Sequence, residues 1–78
     1  MENRYKIMMT KKAEKFIKKQ DNTTQKRILK PIIELPKGDV KKLKGIDGLF
    51  RLRIGEIRVL FEKDDKELII VVIDIGKK

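Results

Sequence analysis

The first third of the chain shows a two-residue apolar period followed by a helical one. Residues 5–9 alternate between apolar and polar side chains, which predicts a short half-buried strand. Thr10 then suits a helix N-cap. Ala13, Phe16 and Ile17 make one apolar stripe in the segment that follows, and lysines fill most of the remaining surface. This spacing predicts an amphipathic and strongly basic first helix.

A second helix is predicted after Asp21 and Asn22, which end the first helix and can cap the next one. Its apolar residues recur at helical spacing, and they are Ile28, Leu29, Ile32, Ile33 and Leu35. Pro31 lies inside this pattern, so we expect a kink or a restart of the helix there. Residues 35–39 contain Pro and Gly and end the helical part.

The second half of the chain has the pattern of strands. Residues 40–44 are short and basic, and residues 49–54 and 57–62 alternate strictly around a Gly55-Glu56 turn. Gly followed by another residue is typical of a two-residue type II′ hairpin loop. Residues 68–73 are continuously apolar, which is typical of a strand that is buried on both faces.

The order of these elements predicts an α+β fold. The pattern reads β-α-α-β-β-β, in which two N-terminal helices pack on one face of an antiparallel sheet. The 78 residues make one domain, and we see no repeat, linker or low-complexity stretch.

The hairpin pattern assigns each residue of 49–62 to one face of the sheet. If Gly55 and Glu56 form the loop, Arg53 lies opposite Arg58, and directly opposed residues share a face. The core face would then hold Phe50, Leu52, Ile54, Ile57, Val59 and Phe61. The other face would gather Arg51, Arg53 and Arg58. A shift of one residue in the turn would separate Arg53 from Arg58, so this prediction depends on the register.

The clustering of three arginines on one face needs an explanation, because like charges directly opposite each other destabilise a strand pair. The chain has 16 Lys and 5 Arg, yet three of the five Arg fall in this group. Arg binds phosphate with two parallel hydrogen bonds, so the pattern indicates a phosphate-binding surface. The structural alternative is that Glu62, Glu56 or a neighbouring carboxylate neutralises the arginines, and it predicts ion pairs.

Charge and composition narrow the possible chemistry. The net charge is +9, and residues 1–45 carry all of it, which suggests a polyanionic partner such as nucleic acid. A solvated, lysine-rich helical surface explains the charge equally well. The chain has no His and no Cys, which excludes imidazole catalysis and most zinc sites. We expect no metal and no cofactor. The longest apolar run is too short to span a membrane, and a cytoplasmic location is the expectation.

Other candidate residues have an alternative structural interpretation. Lys41, Lys42 and Lys44 flank the hairpin and could bind RNA, or they could protect an edge strand by their charge. Tyr5 could stack on a base, but we expect it at the edge of the core. The acidic residues between 62 and 67 are expected to be solvated turn residues and not a cation site.

Residues 40–76 carry a family resemblance. The stretch VKKLKGIDGLFRLRIGEIRVLFEKDDKELIIVVIDIG resembles the RelE/ParE toxin superfamily, in which "KLKG" precedes "xYRxRxGxYRVxF" and a final apolar strand ends in "xxIGHR" or "xVGKR". The N-terminal strand and helices match in order and length. The resemblance implies the RelE-like fold and a toxin of a type II toxin–antitoxin pair. The RelE branch cleaves messenger RNA in the ribosomal A site, and the ParE branch inhibits DNA gyrase.

The resemblance also implies roles for individual residues. In the RelE branch the ribose 2′-hydroxyl attacks the adjacent phosphate, and basic side chains orient the strand and stabilise the developing charge. Arg51 and Arg53 match the paired basic residues before the hairpin turn, and Arg58 matches the phosphate-stabilising arginine after it. Lys77 and Lys78 match the basic pair after the last strand. Lys78 stands where the RelE branch usually has a second catalytic arginine.

This sequence departs from the family pattern at its C-terminal end. Lys77 replaces the His of many relatives, and the tyrosine that the RelE branch often carries has no counterpart after Lys78. The resemblance therefore supplies no general acid or base. Electrostatic stabilisation by Arg58 could still support cleavage. The alternative is a protein with weak activity or none.

Three functions remain open. The first is a ribosome-dependent, metal-independent messenger RNA endoribonuclease that inhibits translation. The second is a non-enzymatic gyrase inhibitor, and the third is a basic RNA-binding module. The arginine face favours the first. The resemblance also implies a RelB-like antitoxin partner, and the charge of +9 suits an acidic one.

Overall fold

The structure, a computed structural model, describes residues 5–77. Its elements in chain order are β1 (Lys6–Met9), α1 (Lys11–Lys18), α2 (Asn22–Ile33), β2 (Val40–Lys42), β3 (Leu49–Ile54), β4 (Ile57–Asp64) and β5 (Ile69–Lys77). The predicted α+β class is confirmed, and the order of the elements agrees with the predicted β-α-α-β-β-β except for one additional strand. The basic stretch after α2 contributes the short strand β2, which lies at an edge of the sheet.

All the strands belong to a single sheet with the order β1-β5-β4-β3-β2. The pairs from β5 to β2 are antiparallel, as predicted, but β1 runs parallel to β5. The sheet is therefore mixed and not wholly antiparallel. The reason is the helical crossover: α1 and α2 carry the chain from β1 to the far edge, and parallel neighbours require such a connection.

Polar side chains cap both helices where the sequence predicts. The Thr10 hydroxyl accepts a hydrogen bond from the Ala13 N–H at 3.2 Å, and the Asp21 carboxylate accepts one from the Thr24 N–H at 2.8 Å. The α2 helix continues through Pro31 without a restart. Within the described residues, neither helix has the length and apolarity that a membrane span requires.

The core lies between the helices and one face of the sheet. Buried side chains of α1 and α2 pack against buried side chains of β3, β4 and β5 in one cluster. The fully or almost fully buried residues are Ala13, Ile17, Ile28, Ile32, Leu35, Leu52, Val59, Phe61, Ile70, Val72 and Ile75. Removing these apolar side chains from water, at roughly 25 cal/mol per Å² of apolar surface, is the main stabilising term of the fold.

The β3–β4 hairpin has the predicted register. Ile54 pairs with Ile57 across the turn, Arg53 with Arg58, and Phe50 with Phe61. Gly55 has φ +59°, which a type II′ turn requires at its first loop position. The rings of Phe50 and Phe61 stack with their centroids 5.6 Å apart.

The last strand differs from its prediction in length and burial. It runs on to Lys77, and only one of its faces is fully buried, with Ile70 and Val72 at 0% exposure and Ile69 and Val71 half-buried. The apolar run suggested burial on both faces, but α1 and α2 cover one face alone. A β-bulge interrupts the pairing with β4, because Leu60 pairs with Asp74 and the next residue, Phe61, pairs with Val72.

Tyr5 lies at the edge of the core, as expected, and connects β1 to the β4–β5 turn. Its phenol donates a 2.5 Å hydrogen bond to the Asp65 carboxylate. This bond is the main reason why the pKa of Tyr5 is raised and the pKa of Asp65 is lowered. Asp64 stabilises the same turn by accepting hydrogen bonds from the N–H groups of Lys66 and Glu67.

The Tyr5–Asp65 bond predicts a pH-dependent contribution to stability. The lowered pKa of Asp65 means that the contribution is present above the ordinary Asp pKa of about 3.9 and is lost as the pH falls through the folded value. The raised pKa of Tyr5 means that it is present below about pH 10 and is lost as the pH rises through the folded value. Urea unfolding midpoints of the wild type and Tyr5→Phe should therefore differ most near neutral pH and converge at both extremes. A difference that is constant from acid to alkaline pH would contradict this assignment.

Phe61 should be among the residues on which folding depends most. It is fully buried at the centre of the sheet, and Phe61→Ala should lower the free energy of unfolding by about 3–5 kcal/mol. Ile46 is 54% exposed in the loop before β3, so Ile46→Ala should change it by less than about 0.5 kcal/mol. Chemical denaturation of the two variants and the wild type measures both effects. Equal losses in the two variants would show that Phe61 is not part of a packed core.

Candidate active site

The face of the sheet opposite the helices carries the three arginines predicted from the hairpin. Arg51 and Arg53 lie on β3, and Arg58 lies directly opposite Arg53 on β4. Their alternation with the buried residues Leu52 and Val59 directs them away from the core. We call this set the arginine face. Together with the hairpin turn, its three side chains line a shallow cavity.

Backbone pairing brings Arg53 and Arg58 especially close. The Arg53 N–H donates to the Asp39 carbonyl at 3.0 Å, on the side of β3 away from β4. Arg53 and Arg58 therefore form a non-hydrogen-bonded pair, in which the Cα atoms are about 4.5 Å apart. Two guanidinium groups that leave the sheet from adjacent points can contact the same anion.

No carboxylate neutralises this face within residues 5–77. The ion pairs in that part of the chain join Lys12 to Asp74 and Lys63 to Asp65, and none involves an arginine. Glu56 lines the cavity beside the arginines without pairing with them. The structural alternative, which required ion pairs to the arginines, is therefore not supported.

The side chain of Arg51 contains a buried hydrogen-bond donor without a partner among the described residues. Its Nε atom is buried and has no hydrogen-bond partner among the described residues, although the residue as a whole is half-buried. Buried donors in proteins are nearly always paired, because an unpaired one costs about 1–3 kcal/mol. The buried Nε of Arg51 is thus an unfavourable group in this part of the fold.

A second cavity continues the arginine face toward β5. It is lined by Arg58, Leu60, Asp74, Gly76 and Lys77. Arg58 lies opposite Gly76, and Leu60 lies opposite Asp74, so these residues project from one face. The cavity therefore holds two cationic side chains, one carboxylate and an apolar wall.

The structure brings only some of the predicted basic residues to this face. Lys41 lies opposite Arg51 and extends the face to β2, whereas Lys42 lies opposite Phe50 and therefore on the other side of the sheet. Lys44 is exposed in the loop that follows β2. Lys77 lies opposite Ile57 and therefore leaves β5 on the helix side, but its side chain also lines the second cavity at the end of the strand. The predicted role of Lys78 lies outside the described residues.

Asp74, Leu60 and Gly76 were not among the predicted site residues. The continuous apolar run before Asp74 gives no alternation from which a face could be assigned, and the bulge reverses the faces after it. The feature of the sequence that could have indicated this part of the site is Asp74 itself, a charged residue between two isoleucines in an apolar strand.

The acidic residues elsewhere do not form a cation site. Within the part of the chain that the structure describes, no three Asp or Glu residues converge as metal ligands would. Asp64 and Asp65 are instead engaged in the β4–β5 turn and with Tyr5.

Comparison with solved structures shows the same fold in several toxins. An archaeal RelE from Pyrococcus horikoshii, solved in complex with RelB, has a TM-score of 0.77 and 25% identity, with 95% of this chain and 94% of that chain covered. The isolated Escherichia coli RelE toxin has a TM-score of 0.78 and 22% identity over 94% of this chain and 83% of that one. RelE in a complex with RelB from Methanococcus jannaschii has a TM-score of 0.72 and 25% identity, with coverages of 90% and 88%.

The sequence itself places the chain in a family. Residues 7–78 match the family described as the ParE toxin of the type II toxin–antitoxin system parDE. No curated protein matched the chain in sequence. The resemblance seen in residues 40–76 is therefore confirmed over nearly the whole length. The chain belongs to the ParE toxin family, within the RelE/ParE superfamily, and is a toxin of a type II toxin–antitoxin system.

Proposed function

We propose that this toxin is an endoribonuclease that cleaves messenger RNA on the translating ribosome. The observation that carries the proposal is the arginine face, in which three guanidinium groups lie together without a carboxylate partner among residues 5–77. Arginine on a sheet surface is suited to hold the phosphate of a single strand, because its planar fork matches two phosphate oxygens.

The chemistry requires no metal. The 2′-hydroxyl of a ribose attacks the adjacent phosphorus, and negative charge builds up on the non-bridging oxygens. Arg58 donates to these oxygens, while Arg51 and Arg53 position the strand. Such preorganised donors are often the largest single contribution to catalysis. Lys78 is assigned to the leaving group on family grounds alone. Lys41 and Lys77 bind the neighbouring phosphates, and Lys44 is an outlying contact. Lys42 lies on the other side of the sheet and is not assigned to this RNA strand.

The shape of the face supports a need for the ribosome. The cavities over the arginines are shallow and open, so the protein alone offers few contacts that would fix a flexible RNA strand. A strand already held in place is aligned at much lower entropic cost. The basic outer surface of α1, with Lys11, Lys15 and Lys18 exposed, would add attraction to ribosomal RNA. Such a target implies a cytoplasmic location.

We also propose a RelB-like antitoxin as partner. Two RelE structures that are 25% identical to this chain were solved as complexes with RelB. The net charge of +9 suits an acidic segment, and the sheet face without helices is a surface that such a segment could cover.

Gyrase inhibition is the second candidate. It is favoured by the sequence match to the ParE family. The two functions differ in what they require of Arg58, since a phosphate-stabilising role is specific to RNA cleavage.

Loss of Arg58 should remove cleavage. Arg58→Ala should lower the rate of ribosome-dependent cleavage by about 10²–10³-fold, because one charge-stabilising donor to the phosphate is lost. Primer extension on a reporter messenger RNA, with and without translating ribosomes, measures this. Arg58→Lys keeps the charge but not the two-pronged geometry and should restore only part of the rate.

A matched control is Lys30→Ala, which removes the same charge from the exposed surface of α2. It should cleave within a few-fold of the wild type. Gyrase supercoiling assays should run in parallel. Absence of cleavage by the wild type together with inhibition of supercoiling would reject the ribonuclease in favour of the gyrase inhibitor.

The partner proposal predicts that an acidic antitoxin neutralises the toxin. We expect a small acidic protein to be encoded beside the toxin. Expression of the toxin alone should arrest growth, and co-expression with that protein should restore growth. The two proteins should co-purify and separate less readily at low salt, because screening weakens the attraction between unlike charges. Growth arrest that the neighbouring protein does not relieve would contradict the assignment of that protein.

A further inference from the structure

A β-bulge decides which face of the sheet Asp74 occupies. Val72 and Ile75 are both buried in the core, although three positions separate them and strict alternation would place them on opposite faces. The bulge at Ile73 resolves this conflict, because Leu60 pairs with Asp74 while Phe61 pairs with Val72. If the pairing continued regularly from Phe61 and Val72, Asp74 would lie opposite the buried Val59 and face the helices. With it, Asp74 and Gly76 lie on the same face as Arg58.

The bulge is held in place by the N-cap of α1. The Thr10 hydroxyl donates to the Ile73 carbonyl at 2.6 Å, and the Thr10 N–H donates to the Val72 carbonyl at 3.0 Å. The same hydroxyl oxygen accepts the Ala13 N–H. Hydrogen bonds from one residue thus fix both the helix start and the irregular backbone that precedes Asp74. Bulges that redirect a side chain are common beside active sites.

Gly76 leaves an open space between Asp74 and Arg58. A Cβ built on Gly76 would meet no atom within 4 Å, so neither packing nor a close backbone contact requires glycine here. Its φ is not positive either. A strand glycine with these properties often marks a point where a ligand approaches closely. Diagonal neighbours on a sheet face lie about 7–8 Å apart, which leaves room for a ribose and its phosphate between Arg58 and Asp74.

One oxygen of Asp74 is engaged, and the other is available. Oδ2 lies 3.5 Å from Nζ of Lys12, and Oδ1 has no hydrogen-bond partner among the described residues. The side chains of this pair are 76% and 36% exposed, so the pair contributes little to the position of the carboxylate, which the backbone of β5 sets. Arg58 and Lys77 line the same cavity, so its charge remains favourable for RNA.

We propose that Asp74 is the general base of the cleavage reaction and that its carboxylate binds the attacking 2′-hydroxyl. The proposal rests on the ribonuclease function proposed above. Oδ1 accepts the proton of the 2′-hydroxyl as the 2′ oxygen bonds to phosphorus, and the bond from phosphorus to the 5′ oxygen breaks. The 5′ oxygen takes a proton from water. The products are a 2′,3′-cyclic phosphate and a 5′-hydroxyl, and Asp74 returns its proton to solvent.

Other candidates for this role are less well placed. Tyr5 bonds to Asp65 at the end of the sheet far from the hairpin turn. Glu62 lies four residues beyond Arg58 on β4, roughly 13 Å along the strand. Glu56 lines the first cavity, but it belongs to an exposed turn and lacks an ion pair among the described residues. Asp74 is the carboxylate that the bulge in β5 places in one cavity with Arg58.

The decisive experiment is single-turnover cleavage on programmed ribosomes with Asp74→Asn. The maximal rate should fall about a hundredfold or more, which is typical for loss of a general base, while the toxin concentration at half-maximal rate stays within a few-fold. Asp74→Glu should recover part of the rate.

Gly76→Val should fold normally and also lower the rate, because its side chain fills the space proposed for the ribose.

Lys12→Met tests whether Asp74 acts through its own carboxylate or only through its ion pair with Lys12. It breaks the same ion pair as Asp74→Asn but keeps the carboxylate, so its maximal rate should stay within a few-fold of the wild type. If Lys12→Met and Asp74→Asn lose the same activity, Asp74 serves only the ion pair and the proposal is wrong. Full activity of Asp74→Asn, or a loss in Glu56→Gln instead, overturns the assignment and leaves the ribonuclease standing. A wild type that cleaves nothing overturns both.

Discussion

A two-residue turn sets the positions of the core residues of the β3–β4 hairpin and of the arginine face. Gly55 adopts φ +59°, and the tight loop that it permits pairs Ile54 with Ile57. Every later pair in the hairpin follows from this one, since a shift by one residue would exchange the two faces. The core face and the arginine face are therefore not independent features. The apolar residues that must be buried fix the register, and the register then brings the arginines together on the opposite side.

The arginine face works against the stability of the fold that carries it. Arg53 and Arg58 are directly opposed like charges, and the buried Nε of Arg51 has no partner among the described residues. The apolar layer between sheet and helices must outweigh these costs. In a chain of 78 residues the total free energy of unfolding is small, so such unfavourable groups are expected to persist only where function requires them.

The sequence predicted the hairpin register and the arginine face because local rules decide them. Strict alternation on both sides of a Gly-Glu turn admits one simple pairing, and the structure has it. Two features could not be predicted in this way. The parallel direction of β1 depends on where the helices return the chain, and a strand of four residues contains no information about its neighbour. The bulge at Ile73 is hidden in an apolar run, where either face could be the buried one, and Asp74 was missed for that reason.

The central position of β5 in the sheet limits when the chain can fold during its synthesis. The last strand of the described chain lies between β1 and β4, and it supplies Ile70, Val72 and Ile75 to the core. A nascent chain that ends before Ile69 has a hairpin and two helices but no continuous sheet, and the first strand has nothing to pair with. Contacts between the two ends of the chain form slowly and late. The folded toxin can therefore exist only after β5 has been synthesised and has left the ribosome, so its action cannot begin before that point.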